Sequence, residues 1–369
     1  MQEEEKKSKR HFRFRDPRLL LVVVLILGVV FAWITIGSVL VTYLPWGENS
    51  LLAGVRLKAK TTPSVSYRLL DGEPLPAGSA QPYPVGVMIE NLAQVRPQAG
   101  LADASIVYET LAEGGATRFL ALFEGPGDHL EKIGPVRSAR PYYLEWNSEV
   151  DALHAHAGGS PEALQEISGF SIKDLNGIAH GAKYFFRDHT IAAPHNLFTS
   201  SDLLTRALAD IGLAAATPTF TSWQYKDDPP IAARPADGAY AKADFSGRTY
   251  AVEYRYARAT NDYARLNAGV PHTDALTGQQ IHVKNVILQI IPKILDVGEK
   301  GRLTLDVTGT GKALLFIDGG ANVGTWSKKD RTSRTDFFFE DGKPAVFTRG
   351  STWVEVTPED EGVSYGTQQ

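Results

Sequence analysis

From Leu19 to Leu44 the chain carries no charged residue over about 26 positions. At about 1.5 Å of rise per residue, such a run reaches about 39 Å as a helix, more than the roughly 30 Å of a bilayer's hydrocarbon core. Before it stand Lys6, Lys7, Lys9, Arg10, Arg13, Arg15 and Arg18; after it come Pro45, Trp46, Gly47 and Glu48. Basic flanks stay cytoplasmic. The pattern predicts a basic cytoplasmic segment (1–18), a single transmembrane helix (19–44) and a large C-terminal part outside the cell. A cleaved signal peptide has an apolar region of roughly 7–15 residues and small residues at the cut. This run is longer, and no Ala-x-Ala follows it.

The chain has 369 residues and no cysteine, which excludes disulfides, thiolate metal sites, cysteine nucleophiles and lipid attachment through a cysteine. Its formal net charge is -4. Residues 1–18 hold 7 Lys/Arg against 4 Asp/Glu, so the remainder is near -7. No basic face stands out there, and nucleic acid is not an expected partner.

Residues 45–81 lack clear periodicity and read as a linker that becomes ordered near Tyr67. A first folded part is expected over 82–225, with strands at 85–90, 105–111, 118–124 and 151–157. Ser160 is placed to cap a helix that begins at Pro161, and a second helix spans 200–211. A second part over 232–358 reads as mainly β, with turn formers between short strands suggesting successive antiparallel pairings. Residues 359–369 read as a tail. The fold class expected is α/β, mixed and β-rich.

Polar residues cluster within apolar segments between Pro84 and His195, where burying them unpaired would cost several kcal/mol. His154 and His156 share one face of a strand and are spaced for a metal, with His195 or His272 as further ligands and Glu109 or Asp188 as a carboxylate. The bland alternative is two satisfied histidines, and no cofactor is expected. Glu109 and Glu113 would share a strand face and could divide acid and base work, or be held by arginines. Ser138 or Ser160 could act as nucleophile with His156 or His195 as base, although neither sits in a Gly-x-Ser-x-Gly elbow. Trp326, placed on a turn, is a candidate for sugar stacking. Arg118, Arg137 and Arg140, with the His156–Ser160 loop (Gly158, Gly159, Ser160) and His195-Asn196, read as a corner for an anionic group. That group would belong to a wall glycan, a peptide stem or a lipid phosphate.

Several segments carry a family resemblance. They are Arg96-Pro97-Gln98 with Gly100-Leu101, Glu113-Gly114-Gly115 with Thr117-Arg118, Gly134–Arg140, His156–Ser160 and Ala193–Asn196. In the second part, His272-Thr273-Asp274, Asn285-Val286, Gly311-Lys312-Ala313, Gly324-Thr325-Trp326 and Gly350–Trp353 add to it. Together they resemble the YerB-like family of bacterial envelope proteins, with its N- and C-terminal domains of unknown function (3048), over about 82–358. The resemblance implies export, membrane attachment and a layered sheet–sheet–helix ectodomain. It implies no reaction. The chain departs from the lipoprotein pattern, since an apolar helix stands where a lipidated cysteine would.

The function expected is non-catalytic binding or scaffolding at the cell membrane. The partner would be a cell-envelope glycan, an anionic envelope ligand or an envelope protein. The alternative is an envelope-acting hydrolase or transferase built on Glu109, Glu113, His156 and His195, metal-dependent in one version.

Overall fold

The computed structural model describes residues 25–33, 65–125, 130–292, 294–296, 301–358 and 362–367. The basic segment 1–18 lies outside these, as do most of the predicted span 19–44, the linker up to residue 64 and residues 359–361 and 368–369 of the expected tail, whose residues 363–367 instead form a strand paired with Ala239–Asp244. Of the span, residues 25–33 are helical and exposed. Among the described residues no helix is long and apolar enough to cross a membrane.

Ten strands form a central sheet in the order Asp336–Phe339, Gly320–Lys328, Gly309–Ile317, Asn285–Ile291, Thr352–Pro358, Ile106–Leu111, Thr117–Glu124, Pro84–Glu90, Leu153–His156 and Asp174–Asn176. Pairings are antiparallel at the Asp336–Phe339 end. Thr352–Pro358 breaks that pattern: it runs parallel to Asn285–Ile291 on one side and to Ile106–Leu111 on the other. The successive antiparallel pairing expected for the second part therefore fails at this strand, and the two sequence halves share one sheet. Such mid-sheet strands are buried on both faces and read as continuous apolar runs rather than alternations. Asn285–Ile291 and Pro84–Glu90 are buried at every position.

A second sheet orders Val270–Pro271, Asp262–Asn267, Ala251–Ala257, Ala239–Asp244 and Val363–Thr367, with His282–Val283 also pairing to Asp262–Asn267. Its Ala241, Val252 and Tyr254 pack with Val87, Phe119, Val286 and Trp353 of the central sheet in one core. On the opposite face, Met88, Leu120, Ile287 and Val354 pack with Tyr142, Tyr143 and Trp146 of the Pro141–Ser148 helix. A third cluster joins Leu144 of that helix to Ala163 and Ile167 of the Pro161–Gly169 helix. The layers thus run sheet, sheet, helix.

The segment before Pro82 is more than a tether. Leu70 is fully buried, and the Leu69 and Leu70 N–H groups donate to the Glu124 carboxylate at 2.5 and 2.7 Å.

Candidate functional site

The segment from Gly134 to Arg140 is fixed from three sides. Arg137 N–H donates to the Met88 carbonyl, Val136 N–H to the Leu197 carbonyl, and Ala139 N–H to the Gly158 carbonyl. Gly134 holds φ at +139°, where a Cβ would lie 2.8 Å from the Val136 nitrogen, so only glycine fits this entry. Ala139 is buried against the helices, and Pro141 starts the Pro141–Ser148 helix. Arg137 and Arg140 are thereby presented beside the loop that ends in Ser160. Ser160 caps the Pro161–Gly169 helix as expected, accepting from Ala163 N–H at 3.2 Å.

A cleft of about 400 Å³ opens here, lined by Arg118, Arg137, Arg140 and Arg302 among others, with Glu90 and Glu113 as its two carboxylates. Glu113 takes an ion pair from Arg140 and a looser one, at 3.7 Å, from Arg118. Burial raises the Glu113 carboxyl, but the Arg140 hydrogen bond and the two guanidinium charges bring it below its ordinary value. Arg118 Nη1 donates to the Ser138 carbonyl at 2.8 Å, and Arg140 Nη1 to the Ala139 carbonyl at 2.7 Å. Burial first, and then the Arg140 charge, draw Arg118 below its usual pKa, although an arginine stays protonated. Two guanidinium groups sharing one carboxylate leave positive charge uncompensated. Arg137 is balanced by Glu90 at 3.0 Å, and Glu90 also pairs with His195 Nδ1 at 2.9 Å. Arg302 pairs with Glu162 from the rim at 3.3 Å. Among the described residues, and counting that rim carboxylate, four guanidinium groups face three carboxylates.

Of the residues singled out from sequence, Arg118, Arg137, Arg140, Gly159, Ser160, Ser138 and Glu113 line this cleft. His195 reaches it through Glu90. The others do not meet there. Asn196 is buried and accepts from Arg187 at 2.7 Å, and Gly158 N–H donates to Asn176 at 3.0 Å. His156 is buried with Nε2 on Asp174 and Nδ1 on the Gly158 carbonyl, each at 2.6 Å. His154 stacks on it at 5.1 Å and engages Asn147 at 3.1 Å; burial and the neighbouring His156 hold its pKa well below the usual range. The suggested further metal ligands are occupied elsewhere: His195 by Glu90, His272 by Arg265 and Gln98, Asp188 by Lys132. Among the described residues, no three His, Asp or Glu side chains are grouped to hold a metal.

Glu109 and Glu113 part company because the strand ends at Leu111 and Glu113 begins a turn. Glu109 is fully buried and pairs with Arg265, not with the cleft arginines. Thr117 donates to it from the cleft floor. Trp326 lies within the Gly320–Lys328 strand, fully buried, its Nε1 donating to the Ile290 carbonyl at 2.7 Å, so it offers no stacking face. Glu90 and Arg302 escaped the sequence reading. Glu90 is detectable as the acid ending an apolar strand; Arg302 carries no local signal.

Two family models match the chain. The N-terminal domain of a protein of unknown function, DUF3048, matches residues 70–214, and the corresponding C-terminal domain matches 241–354. A Bacillus subtilis (strain 168) protein named "Putative lipoprotein YerB" is 33% identical over 285 residues, covering 76% of this chain and 83% of that protein. The crystal structure of YerB from Bacillus subtilis aligns with a TM-score of 0.72 at 29% identity, covering 82% of this chain and 100% of that one.

Proposed function

Because the chain belongs to the YerB-like DUF3048 family, whose description supplies no reaction, we propose a function from the cleft itself: recognition of an anionic group outside the cell membrane. The observation that carries this reading is the pair Arg118 and Arg140, which share the single carboxylate of Glu113. A planar guanidinium matches carboxylate and phosphate oxygens, and charge-assisted hydrogen bonds are the strong ones. Backbone carbonyls fix both side chains, so little conformational freedom is lost on binding. Supporting placement outside the cell are the basic segment, the span 19–44 and the relative named as a lipoprotein.

The hydrolase reading needs a base, an acid and a nucleophile in one place. Of Glu109, Glu113, His156 and His195, only Glu113 lines the cleft, and two guanidinium groups neutralise it. Binding is therefore the reading favoured. Titrating the full chain in nanodiscs with glycerol phosphate tests it. Arg140→Ala should weaken binding about tenfold or more, the worth of one charge-assisted hydrogen bond. Raising salt should weaken it further. Equal affinity for Arg140→Ala and the parent chain would sink the proposal.

A further inference from the structure

Beside the Arg302–Glu162 pair at its rim, the cleft also has apolar neighbours. Leu164 stands behind the cleft-lining Gly159 and Ile178 behind its neighbour Gly158, their side-chain carbons 3.2 and 3.5 Å from where a Cβ on each glycine would sit. They are 39% and 66% exposed. Ile178 also lines a separate groove of about 470 Å³, together with Phe185, Phe186 and Leu197 and with Arg187 and His189 as its polar residues. The groove's wall is built from the segments that hold the cleft. The Leu197 carbonyl accepts from Val136 N–H at 2.7 Å, and Arg137 Nη1 donates to the Pro194 carbonyl at 3.3 Å. The arginine cleft and a largely apolar groove thus lie close together, with the exposed Ile178 lining the groove and standing beside Gly158, the neighbour of cleft-lining Gly159. Exposed apolar side chains next to a charged pocket mark a binding surface more often than a lone exposed leucine does.

Resting on the anion reading, we propose that the ligand is an amphiphile: a phosphate-bearing lipid whose headgroup enters the arginine cleft and whose chain crosses Ile178 into the groove. The charge pattern selects phosphate. Its tetrahedral oxygens can face Arg118, Arg137 and Arg140 together, whereas a planar carboxylate is matched by a single guanidinium fork. The groove selects a chain, since each methylene removed from water tightens binding about fourfold. The predicted span places the domain beside a bilayer, where such molecules are found.

Full-length chain in phosphatidylcholine nanodiscs is titrated with glycerol phosphate and with hexyl phosphate below its micelle concentration. Partition into empty nanodiscs is subtracted. Hexyl phosphate should bind at least about tenfold tighter, as burial of two methylenes already provides. Ile178→Asp should bring hexyl phosphate down to the level of glycerol phosphate. Val323→Asp, an exposed apolar position on the Gly320–Lys328 strand, should leave the gain intact. Equal affinity for the two phosphates, both lost in Arg140→Ala, would overturn the amphiphile and keep the anion site. Binding of neither would overturn both. Loss of the gain in Val323→Asp as in Ile178→Asp would show adsorption of the alkyl chain and overturn the groove.

Discussion

Glu124 shows how one buried carboxyl can set a pH dependence. Burial pushes it up to about 7, and the Leu70 and Leu69 N–H groups only partly offset this. The folded value lies above the unfolded one, near 4.5. Its contribution to stability is therefore complete below about pH 4.5 and is lost as pH rises through 7. At about 1.4 kcal/mol per unit, the loss is roughly 3 kcal/mol. Denaturation of the parent chain and of Glu124→Gln between pH 5 and 8 should show the parent losing ground by that order. A pH-independent difference between the two would contradict the assignment. The cleft arginines follow a simpler rule, and here the residues were legible. Arg118, Arg137 and Arg140 sit within short motifs whose glycines and prolines fix the local path. Arg302 was not legible, because it reaches the cleft from 140 residues beyond Glu162 with no pattern around it.

Strands of the two sheets are joined by a charged knot. Arg265, on Asp262–Asn267, is fully buried and pairs with Glu109; it also donates to Tyr254 at 2.9 Å and lies 3.7 Å from Glu355. Its guanidinium sits 4.3 Å from the centre of the Trp353 ring. Burial and the Glu109 charge hold the Glu355 carboxyl well above its usual range, so one carboxylate remains for one guanidinium. His272 accepts from Arg265 and donates from Nε2 to Gln98 at 2.9 Å, which requires the neutral ring that burial and the Arg265 charge enforce. Arg265→Met would leave Glu109 in the core without its ion-pair partner, at a cost of about 3–5 kcal/mol. Glu355→Gln replaces a group that is already neutral and should cost far less. Urea midpoints separate the two, and comparable losses would refute this charge distribution. The sequence announced neither this knot nor the Pro141–Ser148 helix. The helix buries Tyr142, Tyr143, Leu144, Trp146 and Asn147, almost all round, so no apolar stripe appears; its N-cap Arg140 makes no side-chain cap bond. Strands bounded by turn residues were readable because alternation and glycine-rich turns are local signals. Which strand lies beside which was not, since Thr352–Pro358 meets Ile106–Leu111 across about 246 residues of chain.

For the molecule as a whole, the span 19–44 predicts that the full chain stays in the membrane fraction through an alkaline carbonate wash. A chain beginning at residue 65 should appear in the soluble fraction. Release of the intact full-length chain by carbonate would overturn the anchor. Residues 63–369 form one compact unit. The central sheet belongs to neither family domain alone, because Thr352–Pro358 lies in it between strands from each half. That position governs the order in which the protein can be made. Until residue 358 is available, Asn285–Ile291 and Ile106–Leu111 each present an open edge of unpaired backbone groups. No N-terminal fragment can close the sheet while synthesis continues, and the long-range pairing that closes it is intrinsically slow. The growing chain must be kept from pairing with other strands until residue 358 has arrived.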